Sequence, residues 1–190
     1  MNASGEQSSL TDRAASLHLG SVPITILDGV DVLHVPLDSL LAGALAESTQ
    51  QVLGEAIEQG IAVTLSTSSV AALREFGRSE FLALVKSLRP SIVFSGREEA
   101  RYALQGHPWF VGAGATVVTA GVGAARFTKP DGSDFRKSPD EIDVVDTTGA
   151  GDAFTAGFLV AWRRGGAPLA WLESGHRSAR RHLSLSLIHI

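Results

Sequence analysis

The chain has 190 residues, 44% of them hydrophobic and 19% charged, a balance that supports a buried core and excludes wholesale disorder. Its net charge of −4, with no basic run, excludes a non-specific nucleic-acid binder. The absence of cysteine excludes disulfides, thiolate catalysis and cysteine-ligated metal, and fits a reducing compartment.

Residues 1–20 read as polar and irregular, with no apolar segment of the kind a secretory signal needs. Residues 31–35 read as a strand. Residues 41–59 follow as a helix with Leu41, Leu45, Val52, Ala56 and Ile57 near one face, and Gly60 is its natural stop. A strand over 61–65 precedes helical patterns over 69–76 and 79–88, which Pro90 ends. A third strand covers 91–94 and a short helix 97–104. Residues 105–125 carry no charge, but five glycines and a proline divide them, so they read as a loop and a buried strand and not as a membrane span. Strands are expected at 115–119 and 124–128, then a Pro130-Asp131-Gly132 turn and a strand at 142–145. A helix from about 150 to 164 and a last one starting near Pro168 complete the pattern. Such strand–helix alternation predicts an α/β fold, a mainly parallel sheet covered on both faces, with ligands beyond the carboxyl ends of its strands.

The chemistry concentrates where the strand at 142–145 runs through Asp146-Thr147-Thr148 and a Gly149-Ala150-Gly151 turn into a helix. The first N–H groups of a helix are free of intrahelical partners and its dipole is positive there. Gly149 and Gly151 let the backbone approach a phosphate closely, which makes an anion hole. Asp152, in the first turn, is placed to accept a proton from an attacking hydroxyl. For a bare Gly-x-Gly, an ordinary helix cap is the plainer reading.

The longer string from Asp146 to Phe154, continuing into Ala156-Gly157-Phe158, resembles the C-terminal signature of the ribokinase-like (PfkB) sugar kinases nearly residue for residue. The resemblance implies a ribokinase-like doubly wound fold and transfer of the ATP γ-phosphoryl group to a sugar hydroxyl. It makes Asp152 the catalytic base and Gly149, Ala150 and Gly151 the anion hole. Asp146 and Thr148 match positions that in many members help hold a monovalent cation such as K+. Residues 118–124 are similar to the family's strand–turn segment at the nucleotide, which implies nucleotide contacts for Thr119, Gly121 and Gly123; read alone, they are a hairpin with two turn glycines. Residues 91–100 are similar to the segment carrying an Asn-x-x-Glu motif that acts around magnesium and phosphate. Glu99 matches the Glu, and Gly96 stands where the Asn is expected. Residues 173–179 resemble the helix flanking the adenine, with His176 close to the base. Residues 5–15 and 27–41 look like the family's middle section, so the likeness runs from about residue 5 to about 180.

The partners so implied are ATP, Mg2+ and a small sugar in the cytoplasm, without nucleic acid or membrane, and a homodimer in the complete protein. The glycine-rich sugar-binding segment and lid strands that open family members have no match here. The expectation is therefore a partial kinase domain over 1–181. Residues 182–190 form an unmatched tail, in which 184–190 alternate like a strand and resemble translated adapter sequence. Two other readings differ in class. One is an inactive nucleotide- or sugar-binding remnant. The other is a dinucleotide-dependent oxidoreductase, since residues 149–154 nearly spell Gly-x-Gly-x-x-Gly and Glu173 lies about where a ribose ligand would. Against the latter, Phe154 replaces the third small residue and no second strand lies between the glycines and Glu173. With no Gly-Lys-Ser/Thr in the chain, a P-loop is excluded.

Overall fold

The computed structural model of the chain describes residues 22–140 and 148–186. Short 3₁₀ turns at Ile24–Leu27 and Leu37–Leu40 flank the first strand. In chain order the elements are β1 (Val32–Pro36), α1 (Gly43–Glu58), β2 (Ala62–Ser66), α2 (Val70–Phe76), α3 (Arg78–Leu88), β3 (Ile92–Gly96), α4 (Arg97–Leu104), β4 (Thr116–Ala120), β5 (Gly123–Thr128), β6 (Asp134–Lys137), α5 (Ala150–Arg163) and α6 (Pro168–Ser186).

The six strands form one sheet in the order β1-β2-β3-β4-β5-β6. β1 to β4 are mutually parallel, whereas β5 and β6 follow by tight turns and therefore pair antiparallel. Period-two alternation along the strands divides the core into two layers. Val63, Leu65 and Val93 face Leu53, Ala56, Leu73, Phe81 and Val85 from α1 to α3. Ile92, Phe94, Val117 and Phe127 face Phe154 and Phe158 of α5 and Leu172 of α6. Helices thus cover both faces, and β3 is buried along Ile92 to Ser95, as an interior parallel strand must be.

Phe158 centres the second layer. Its ring meets Phe94 edge-on at 5.3 Å and Trp171 at 6.0 Å, between centroids. α5 and α6 approach so closely that a Cβ on Gly157 would meet the Ser178 hydroxyl, and one on Gly175 would lie 2.7 Å from the Phe154 ring. This packing fixes α5, and with it the glycine turn at its start.

Several expectations shift. The inward face of α1 centres on Ala46, Leu53 and Ala56, so Ile57, one residue further round the helix, is 52% exposed. The uncharged stretch forms a loop held by fully buried Phe110, whose N–H donates to Thr116 Oγ1 at 2.9 Å, and then β4. Among the described residues no helix is long and apolar enough to cross a membrane. β6 was not anticipated: it is a charged edge strand, Asp-Phe-Arg-Lys, with no apolar run to reveal it. Residues 184–186 continue α6 and do not form a strand, with Ser184 Oγ donating back to the Arg180 carbonyl at 2.9 Å. The expected strand at 142–145 and the likeness at 5–15 fall outside the described residues.

Candidate active site

The glycine turn starts α5 as the sequence predicts. Gly149 is the N-cap in the left-handed region (φ 77°, ψ −4°), and the first helical bond runs from Ala153 N–H to the Gly149 carbonyl at 2.9 Å. The N–H groups of Ala150, Gly151 and Asp152 lie ahead of that bond and have no carbonyl four residues back within the helix. A Cβ on Gly151 would meet nothing within 4 Å, so its glycine leaves open space beside those N–H groups. Asp152 is exposed in the same turn.

This turn forms one wall of a broad cleft of about 1330 Å³. The fold brings Thr119 and Gly121 from the β4–β5 turn, Ala150 and Gly151 from α5, and His176 from α6 together around it, although they are far apart in sequence. Gly121 takes φ 56° at the tip of that turn, beside Val122, which is 86% exposed. Gly123 opens β5 in the same turn, with the Arg97 guanidinium over it. His176 Nε2–H donates to the Lys137 carbonyl at 2.8 Å, and the ring stands edge-on to Phe154 at 5.1 Å. Burial is the main force holding the His176 pKa below its usual value, against the Lys137 carbonyl and Asp140, which raise it.

The expected cation positions are less unified. Gly96 at the end of β3 lies in register with Thr119 of β4, so Glu99, one turn into α4, stands near the strand ends. A Cβ on Gly96 would meet the Glu99 carboxylate, which fills the space above it. One carboxylate completed by substrate phosphates suits magnesium, which keeps few protein ligands. Among the described residues no three acidic or histidine side chains gather as a metal cage. The Thr148 carbonyl accepts from His182 Nε2–H at 2.9 Å. Asp146 lies outside the described residues. The oxidoreductase reading finds no support: α5 passes to α6 without an intervening strand, and Glu173 sits within α6.

Two histidines near this turn were not singled out in the sequence. His182, on α6, packs against Gly149 as well as binding the Thr148 carbonyl. His34 is a polar residue in the apolar run of β1, which was the available signal. Its Nδ1 pairs with the hydroxyl of fully buried Thr64 at 2.9 Å, and Phe94 stands edge-on at 5.6 Å. Burial pushes the His34 pKa from 6.5 down to about 4, although the charge of Asp152 pulls it upward. The fold therefore favours neutral His34, and the unfolded chain takes up a proton first as pH falls. Stability from this group is complete above pH 6.5 and is lost down to about pH 4. Urea unfolding at pH 7 and pH 4.5 should differ by ~2–3 kcal/mol from this source, and His34→Gln should remove that share. An undiminished difference in the variant would place the titration elsewhere.

The family model for pfkB family carbohydrate kinases matches residues 38–183. Over 55 residues the chain is 46% identical to fructoselysine 6-kinase of Escherichia coli K12, a segment covering 28% of this chain and 20% of that one. An adenosine kinase from Sinorhizobium meliloti superposes with a TM-score of 0.78 at 23% identity, covering 88% of this chain and 54% of its own. An E. coli protein described as a putative ribokinase II, solved with ATP and Mg2+, gives 0.66 at 17% identity, covering 80% and 51%. The chain thus spans about half the length of these solved structures.

Proposed function

The chain belongs to the pfkB family of carbohydrate kinases, and from that premise we propose that the whole protein transfers the γ-phosphoryl group of ATP to a hydroxyl of a sugar-type acceptor. The observation that carries the reading is the start of α5: left-handed Gly149, open space at Gly151, and Asp152 in the same exposed turn beside the cleft. The E. coli structure solved with ATP and Mg2+ supports that pair as the nucleotide form used.

In this reading the triphosphate lies in the cleft between the β4–β5 turn and α5, with His176 on the side of the base. The N–H groups at 150–152 face the transferring phosphoryl group and hold the charge that builds on its oxygens. Asp152 takes the proton of the acceptor hydroxyl as that oxygen bonds to the γ-phosphorus and the bond to ADP breaks. Glu99, together with the phosphates, is the side chain fit to hold magnesium, which when bound neutralises phosphate charge. Asp146 and Thr148 are proposed as the monovalent-cation positions, with the Thr148 carbonyl already engaged by His182.

The test is label transfer from γ-labelled ATP by the whole protein across pentoses, hexoses, keto-acid sugars, nucleosides and fructosyl-amines. A labelled phosphate ester of one class is expected. Binding of MgATP with no transfer to any class would overturn the kinase reading in favour of a nucleotide-binding remnant.

A further inference from the structure

We propose that Arg97 is a direct ligand of the nucleotide's phosphate chain, supplying the hydrogen-bond donors that position 96 lacks. The inference rests on the nucleotide reading of the cleft. Gly96 caps α4 and pairs in register with Thr119, so the first turn of α4 abuts the end of β4 and the turn into β5. Position 96 offers no side-chain donor, and the volume above it is filled by the Glu99 carboxylate. The Glu99 carboxylate therefore puts negative charge beside the end of β4, where a cation would offset it as a polyphosphate approaches.

Arg97 is the adjacent cation. Its guanidinium lies across the β4–β5 turn: Nη2 stands 2.7 Å from where a Cβ on Gly123 would be, so the glycine makes room for it. Gly121 and Val122 of the same turn line the cleft. Arg97 is exposed and joins none of the ion pairs among the described residues, while its neighbour Glu98 pairs with Arg101 at 3.5 Å. Held on the turn without a carboxylate, its planar fork keeps its donors for an anion, and phosphate oxygens match that geometry.

ATP and adenosine binding to the whole protein tests this, with and without Mg2+, in wild type, Arg97→Ala, Arg97→Lys and the double variant Gly96→Asn/Arg97→Ala. Charge-assisted contacts of this kind give an expected loss of about 10–100-fold in ATP affinity for Arg97→Ala, with adenosine changed less than about threefold. The loss should persist without Mg2+, because the contact is to phosphate. Arg97→Lys should recover part of it, and Gly96→Asn should restore donors in the double variant, since only the flexible end of Glu99 has to move. Equal weakening of ATP and adenosine, or none in either, would overturn the role of Arg97. A wild-type protein that binds neither ligand would overturn the cleft reading beneath it, and this inference with it.

Discussion

Asp152→Asn should lower kcat by about 10²–10⁴-fold while leaving ATP affinity within about threefold. Asn has nearly the same volume and keeps an oxygen at the same place in the turn, but it cannot accept the acceptor's proton at neutral pH. The site loses one negative charge beside a polyphosphate, so ATP binding is expected to hold or tighten slightly. The structural cost is small because Asp152 is exposed; a carboxylate in a helix's first turn contributes roughly 0.3–1 kcal/mol through the dipole. A second readout comes from His34. Asp152 raises its pKa, so the variant should let that pKa fall further and shift the acid limb of the stability profile downward. Steady-state kinetics with matched ATP titrations decide the matter. Turnover within tenfold of wild type would remove Asp152 from the role of base.

What the sequence made legible was what is contiguous. The string from Thr148 to Phe158 lies within one turn and one helix, so its local geometry follows from its letters: a left-handed glycine, a helix start, then apolar positions that meet Phe94 and Phe127. The parallel half of the sheet was equally legible, because strands buried on both faces must be apolar runs. The convergence of Thr119, Gly121, Ala150 and His176 on one cleft was expected only from a family likeness, since no local rule links a hairpin turn to a helix far along the chain. His34, Arg97 and His182 were missed for one physical reason. Each acquires meaning from a partner distant in sequence: Thr64 for His34, Gly123 for Arg97, and Thr148 with Gly149 for His182. β6 escaped because an edge strand with one inward apolar residue, Phe135, carries no periodicity to read.

The two glycines of the proposed anion hole should respond to the same substitution in opposite ways. Gly149→Ala places a Cβ on a residue at φ 77°, which costs about 1–2 kcal/mol in the left-handed region. That Cβ would also lie 2.8 Å from His182 Nε2, so the imidazole must retreat and release the Thr148 carbonyl. With the turn no longer held from behind, the N–H groups at 150 and 151 lose their aim, and kcat should fall by about 10²–10³-fold. Adding His182→Ala removes the collision but not the backbone strain. The double variant should therefore regain some thermal stability while recovering less than about tenfold in kcat. Gly151→Ala differs: the position is helical, and a Cβ there meets nothing within 4 Å. Alanine is the better helix former by about 0.5–1 kcal/mol, so this variant should melt at or above the wild-type temperature. Its new methyl occupies the space assigned to phosphate oxygens, so ATP affinity should fall. Stability and ATP binding measured side by side separate the two glycines. Undiminished kcat in Gly149→Ala, or undiminished ATP affinity in Gly151→Ala, would show that the phosphoryl group does not sit at the start of α5.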